Sequence, residues 1–226
     1  MSASAPALRT ASFGTQRGQA VMGEQRDVLA CIYQEEVNIS IWQRELSEAL
    51  SNAAARLLLE NPQLQISRPM SPRDAYEILI ESFGGTAEPA ALAEDIAELA
   101  DMFGFLFDLK YIGLRLTALG HAMCPRFHVD WVPCRLVTTY QGEATQWLAH
   151  ERVDRGKLGA GNEGKPDEQS GLFSDAGDIQ QVRPGHVALL KGESWAGNAE
   201  AGLVHRSPQL NAGARRLLLT LDFANE

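Results

Sequence analysis

The hydrophobic period of the sequence changes near residue 110, and this change constrains the fold more than any other feature. Before residue 110, apolar residues recur every three or four positions, which is typical of amphipathic helices. After it, short segments alternate apolar and polar residues and are separated by glycine and proline turns, which is typical of strands. Helices followed by strands predict an α+β protein in which a helical layer packs on a β-sandwich or barrel.

The predicted elements follow from this change of period. Helices are predicted over residues 40–60, 71–84 and 89–107, and the short apolar run at residues 28–33 is interpreted as an edge strand. Strands are predicted at residues 112–118, 126–131, 134–140, 145–149, 187–191, 202–205 and 215–223.

The predicted domain organisation is one integrated domain. Residues 1–25 are expected to be frayed or disordered, residues 26–109 to form a helical support region, and residues 110–226 to form the β unit. The glycine-rich segment at residues 155–178 is expected to be an insertion, with an active-site lid as its favoured role.

Composition excludes several classes of function. The formal net charge is −9 and no basic cluster is present, which argues against a nucleic-acid partner. No apolar run is long enough to span a bilayer, and the start of the sequence lacks a signal pattern. Three cysteines do not form a disulfide framework. We therefore expect a cytoplasmic protein that acts on a small molecule or a peptide.

The candidate site begins with His128 and Asp130, which lie two positions apart in a predicted strand. Side chains at such positions point to the same face, so an imidazole and a carboxylate would project together. His205, in a later predicted strand, is the candidate third ligand. Two histidines and one carboxylate form the ligand set that suits non-haem Fe(II) and leaves coordination positions open.

The residues alone leave two alternatives open for the metal site. His121, Cys124 and His128 would be a zinc site, because Cys and His are preferred zinc ligands. The set of His128, Asp130 and His205 also suits manganese, nickel or zinc. It would then belong to a non-catalytic metal-binding or metal-homeostasis protein rather than to an enzyme.

Arginines near the end of the chain extend the candidate site. Arg215 and Arg216 open the last predicted strand about ten residues after His205, and a guanidinium binds a carboxylate through two parallel hydrogen bonds. Tyr140, with Trp131 and Trp147, is a candidate wall of the same pocket.

These motifs together resemble the Fe(II)/2-oxoglutarate-dependent dioxygenase superfamily. The resemblance rests on His-x-Asp, a distal His and an Arg-x-x-Leu-Thr-Leu strand, and it covers roughly residues 110–224. It implies a double-stranded β-helix, a jelly-roll barrel, with Fe(II) or another divalent metal bound by His128, Asp130 and His205. It further implies 2-oxoglutarate as a co-substrate whose far carboxylate binds Arg216, which is preferred to Arg215 because Thr220 then matches the Thr of the motif.

A second resemblance covers most of the chain. The segment from Met123 to Asp130, with Gln146-Trp147-Leu148, is similar to a bacterial domain-of-unknown-function family, DUF 1826. This family brings no established reaction to the interpretation.

Overall fold

Ten strands in the part of the chain described by the computed structural model, residues 17–84 and 89–225, form two β-sheets. In chain order they are β1 (Gln19–Gly23), β2 (Val37–Trp42), β3 (Gln65–Met70), β4 (Ile112–Leu119), β5 (Cys134–Gln141), β6 (Gln146–Leu148), β7 (Ile179–Gln181), β8 (Val187–Lys191), β9 (Val204–Arg206) and β10 (Arg216–Phe223). The larger sheet has the order β1-β2-β8-β5-β10-β4-β3, and the smaller has the order β7-β6-β9.

Helices cover one face of the larger sheet. They are α1 (Glu48–Glu60), α2 (Ala75–Ser82) and α3 (Ala90–Leu106), and a fourth short helix, α4 (Asp167–Ser170), lies outside this layer. The Oγ of Ser47 accepts a hydrogen bond from the backbone N–H of Leu50 at 3.2 Å and so caps the start of α1. The apolar stripes of α1, α2 and α3 join the main buried cluster together with Leu217, Leu219 and Leu221 of β10.

The other face of the larger sheet is turned toward the smaller sheet. Strand β10 alternates, so Arg216, Leu218 and Thr220 lie on this inner face, opposite to the leucines that contact the helices. A second buried cluster joins Leu218 and neighbouring strands of the larger sheet to Trp147 of β6. The alternation in β10 therefore separates a helix-covered core from an inner space between the two sheets.

The N-terminal half differs from its prediction. A layer made only of helices is not confirmed, because β1, β2 and β3 belong to the larger sheet. The helix predicted to begin at residue 40 begins at Glu48, since Val37–Trp42 form a strand between β1 and β8. The strand alternates Val37, Ile39 and Ile41 with Asn38 and Ser40, but the four-residue spacing of Trp42 and Leu46 continues the helical period that follows, so the helix prediction begins too early. The run predicted as an edge strand at residues 28–33 lies in a 3-10 helix, Arg26–Tyr33.

Other elements are found where they were predicted. The helix predicted at residues 71–84 is a 3-10 turn, Pro72–Asp74, followed by α2, and the helix at residues 89–107 is α3. Of the strands predicted after residue 110, only residues 126–131 lack a regular strand, and they contribute one isolated bridge. Residues 1–16 of the predicted frayed start lie outside the described residues, whereas residues 19–23 form β1.

The glycine-rich segment at residues 155–178 is built from short turns. It contains α4 and the 3-10 turns Arg155–Lys157, Gly159–Asn162 and Ala176–Asp178. In α4 the side chain of Asp167 is only 4 % exposed and accepts a hydrogen bond from the backbone N–H of Phe127 at 2.8 Å. Its role as a lid stays a prediction.

A buried ion pair connects α3 with the larger sheet. Arg44 donates to both carboxylate oxygens of Asp95, at 2.6 and 2.8 Å, and the hydroxyl of Tyr140 donates to the same carboxylate at 2.6 Å. The Arg44 and Asp95 side chains are each 11 % exposed. Removing one partner of such a group leaves the remaining charge and hydroxyl buried without compensation.

We predict that Asp95→Ala lowers the free energy of unfolding by about 3 kcal/mol, because the Arg44 cation would lose its carboxylate. Urea denaturation followed by circular dichroism measures this change. The control is Lys165→Ala, which removes a surface ion pair with Glu163 and is expected to cost less than about 0.5 kcal/mol. If both substitutions lowered the free energy of unfolding by the same small amount, the stabilising role of the Arg44–Asp95 pair would be contradicted.

Candidate metal centre

An isolated antiparallel bridge joins the segment that contains His128 to strand β9. The backbone N–H of His128 donates to the carbonyl of His205 at 3.0 Å, and the N–H of His205 donates to the carbonyl of His128 at 3.0 Å. On its other side, His205 is paired with Trp147 of β6. Side chains directly opposite each other in an antiparallel pair share a face. The two imidazole rings therefore lie side by side, with their centroids 4.6 Å apart.

The carboxylate of Asp130 completes a cluster with these imidazoles. Its Oδ1 lies 3.6 Å from Nε2 of His128, and its Oδ2 lies 3.3 Å from Nε2 of His205. One ligand atom from each of the three residues lies within 4.8 Å of the others. Within residues 17–84 and 89–225, no other group of three His, Cys, Asp or Glu side chains has this arrangement. The structure thus brings together the three residues that the sequence analysis selected as metal ligands.

Backbone carbonyls fix the orientation of both imidazoles. Nδ1 of His128 lies 2.9 Å from the carbonyl oxygen of Arg126, and Nδ1 of His205 lies 3.1 Å from that of Leu203. A carbonyl only accepts hydrogen bonds, so each neutral ring carries its proton on Nδ1 and has its lone pair on Nε2. Both lone pairs then face Asp130, as ligands to one shared ion require.

The electrostatics of the cluster favour a bound cation. Burial acts to raise the pKa of Asp130, but its contacts with His128 and His205 hold that pKa far below the ordinary value. Burial acts to lower the pKa of His128, and the contacts with Asp130 and with the carbonyl of Arg126 outweigh it, so the pKa is raised. Asp130 is therefore an anion at neutral pH, and a metal ion would take the place of the positive charge that protonated imidazole supplies.

Arg135 of β5 donates a hydrogen bond to Asp130, although no sequence motif pointed to this arginine. Its Nη1 donates to Oδ2 of Asp130 at 2.5 Å, while Nε and Nη2 donate to the carboxylate of Asp222 at 2.7 and 3.0 Å. Asp222, on β10, is 7 % exposed. The alternation of side chains in β5 could have predicted that Arg135 faces the site, because it places Arg135 on the same face as Val137 and Thr139.

The two candidate arginines of the last strand have different surroundings. Arg216 is 1 % exposed and donates to the hydroxyls of Thr139, at 3.1 Å, and Thr145, at 2.8 Å. Among the described residues, no Asp or Glu forms an ion pair with it, and burial lowers its pKa to about 10. Arg215 is exposed and donates to the carbonyl of Pro62 at 2.8 Å. The inner-face position therefore belongs to Arg216, and Arg215 points away from the space between the sheets.

Three aromatic residues proposed as pocket walls do not have that role. Tyr140 alternates with Thr139 in β5 and points to the helix-covered face, where its hydroxyl bonds Asp95. The prediction that it lines the cofactor pocket is therefore wrong. Trp131 is 80 % exposed, and Trp147 belongs to the buried cluster between the sheets.

The alternative zinc site is not formed in the described part of the chain. His121 and Cys124 are exposed, and they form no three-residue group with His128 that has metal-binding geometry. The bridge to β9 turns His128 toward Asp130 and His205 instead.

We predict that His205→Ala lowers the affinity for Fe(II) by more than about 100-fold, because loss of a direct ligand costs more than loss of a supporting partner. The iron content of anaerobically loaded and desalted protein measures the effect. His121→Ala is the matched control, since it removes an exposed imidazole from the rejected zinc set. Retention of iron by His205→Ala, or its loss from His121→Ala, would contradict the assignment of the centre.

Comparisons with known proteins agree with this architecture. The chain resembles dioxygenase for auxin oxidation 1 of Arabidopsis thaliana, solved in its complex with 2-oxoglutarate. The TM-score is 0.50 at 10% identity, covering 92% of each chain. The corresponding rice enzyme gives a TM-score of 0.49 at 12% identity, covering 90% of this chain and 82% of the other. A Pseudomonas putida prolyl-4-hydroxylase gives 0.46 at 14% identity, covering 88% and 97%.

At this level of identity, the likeness to the Arabidopsis structure shows a shared fold and nothing of the reaction. No curated protein sequence matches the chain. Among the described residues, no helix combines the length and the apolar character of a membrane span. The family model described as "Protein of unknown function (DUF1826)" matches residues 23–222, and the chain belongs to that family.

Proposed function

We propose that this chain is an Fe(II)- and 2-oxoglutarate-dependent oxygenase built on a double-stranded β-helix. His128, Asp130 and His205 would hold the metal ion, with their ligand atoms within 4.8 Å of one another. Three protein ligands leave other coordination positions open for a co-substrate and O2. The substrate would be a small molecule or a peptide, since the net charge of −9 disfavours a nucleic acid.

The observation that carries this proposal is the buried charge of Arg216. Among the described residues, a guanidinium that is 1 % exposed donates side-chain hydrogen bonds to two threonine hydroxyls and has no acidic counter-ion. Such a charge is costly to bury, and a carboxylate from a ligand would compensate it. Thr145, which binds Arg216, also lines the cavity that contains His128 and His205.

A dicarboxylate would connect these two groups. One end of 2-oxoglutarate, a 2-oxo acid, would chelate the ion at His128, Asp130 and His205, while its far carboxylate would take the two-point hydrogen bonds that Arg216 offers. Leu218, the next residue after Arg216 on the inner face of β10, lines the same cavity as the two histidines. A protein that binds only a metal ion would not need a buried arginine such as Arg216, which has no acidic partner among the described residues.

The protein's own part in the reaction is positional. Iron, 2-oxoglutarate and O2 would together supply the oxidising chemistry, in which one oxygen atom of O2 enters succinate as CO2 is released and the other oxidises a C–H bond of the substrate. Arg135 holds Asp130 in place, the two backbone carbonyls orient the imidazoles, and the apolar cluster between the sheets limits access of water.

We predict that anaerobic addition of 2-oxoglutarate to the Fe(II)-loaded protein produces a weak visible charge-transfer band. His128→Ala should abolish this band, because the metal would no longer be held. Arg216→Met should weaken 2-oxoglutarate binding by about 10- to 100-fold, since it removes a charge-assisted pair while keeping an apolar side chain of similar length. Spectroscopic titration measures both effects.

The matched control is Arg215→Met, which removes the neighbouring arginine from the exposed side of the same strand. It should bind 2-oxoglutarate as the parent protein does. In air, the parent protein should also form succinate. If Fe(II) binds but 2-oxoglutarate never changes the spectrum, the chain is a metal-binding protein and the oxygenase proposal fails.

A further inference from the structure

A row of side chains on the inner face continues beyond the metal centre toward β4. Arg115 and Thr117 of β4 line the same cavity as His128 and His205, together with Thr220 of β10. Apolar side chains complete the wall: Met123, Val137, Leu190 and Leu218. Along β10, Leu218 separates Thr220 from Arg216 on the inner face, so this end of the cavity is distinct from the Arg216 end.

Arg115 differs from the other arginines of this cavity in its partners. Its nearest carboxylate oxygen, Oδ2 of Asp222, is 3.8 Å away, and Asp222 already accepts two shorter hydrogen bonds from Arg135. Arg206 is satisfied by Asp167 and Glu168, at 3.2 and 2.8 Å. Among the described residues, Arg115 donates no hydrogen bond within 3.5 Å, and its side chain is 51 % exposed. It therefore presents hydrogen-bond donors and a positive charge to the cavity.

Thr220 supplies an independent second observation. It is the direct cross-strand partner of Arg115 in the β10–β4 pair, so the two side chains share the inner face. The Oγ1 of Thr220 is buried and has no hydrogen-bond partner in the described structure. Buried hydroxyls are nearly always bonded, so an unpartnered one beside an arginine indicates a place for a polar ligand group.

We propose that Arg115 and Thr220 bind a carboxylate of the primary substrate, and that the substrate is an organic acid with an apolar body. A carboxylate accepts charge-assisted hydrogen bonds from the guanidinium and a further one from the hydroxyl. Met123, Val137 and Leu218 would contact the apolar body and place it beside the metal centre. This inference rests on the proposed function, because it names the substrate class of the same site.

The test uses benzoate as a model acid and benzamide as its neutral counterpart. Each is titrated by calorimetry into the full-length protein loaded anaerobically with Fe(II) and saturating 2-oxoglutarate. Benzoate is expected to bind about tenfold more tightly than benzamide, and Arg115→Gln should remove that preference. Arg115→Lys should restore part of it, and Thr220→Val should weaken benzoate binding to a lesser extent.

The matched control is Arg68→Gln, on the neighbouring strand β3. Its cross-strand partner is Leu114, so Arg68 lies on the opposite face of the sheet from Arg115 while the change in net charge is the same. It should leave the preference for benzoate intact. A preference that survives Arg115→Gln, or is absent from the parent protein, overturns this inference.

The visible band of the Fe(II) and 2-oxoglutarate complex, recorded on the same samples, separates the two proposals. If the band forms and benzoate is not preferred, the assignment of Arg115 fails and the oxygenase proposal stands. If the parent protein forms no band with 2-oxoglutarate, the oxygenase proposal itself fails.

Discussion

Two backbone hydrogen bonds, exchanged between His128 and His205, hold the candidate site together. They join the segment before β5 to a strand of the smaller sheet and set which side chains face each other, and the N–H of Ser207 donates to the carbonyl of Cys124 at 2.9 Å beside them. Because side chains alternate along a strand, a shift of one residue in this pairing would turn one imidazole away from the other. The geometry of the three candidate ligands thus depends on the register of this backbone pairing.

Much of the site was predictable from the sequence because its signals are local. His128 and Asp130 are two residues apart, and His205 and Arg216 lie in segments with clear strand character. The face occupied by each arginine follows from alternation once the register of β10 is known. What the sequence did not reveal were contacts made across the sheet, such as those of Arg135 with Asp130 and Asp222.

The errors have physical causes. Strand β2 alternates apolar residues with Asn38 and Ser40, yet Trp42 and Leu46 are spaced as on one face of a helix, so the predicted helix extends into the strand. Tyr140 is predicted to line the pocket because aromatic residues often line ligand sites, yet its position in β5 directs it to the helices. Which face of a strand is covered by helices is a tertiary property, so alternation alone does not show on which side the pocket lies.

Charged groups are divided between the two faces of the larger sheet. On the helix-covered face, Asp95 is compensated within the chain by Arg44. On the inner face, Asp130 and Asp222 share Arg135, while Arg216 has no acid among the described residues. The helix-covered face thus pairs the charge of Asp95 within the chain, whereas the charge of Arg216 on the inner face has no acidic partner among the described residues.

The buried carboxylate of α4 connects the glycine-rich segment to both histidines. Asp167 accepts a hydrogen bond from the N–H of Phe127 and contacts Arg206, and these residues are the immediate neighbours of His128 and His205. Movement of this segment away from the two sheets would remove support from the residues beside both imidazoles at once. In protein loaded with the proposed ion, opening of the segment and weaker binding of the ion would thus be a single event, so the rate of metal exchange would report the motion of a segment that carries no ligand.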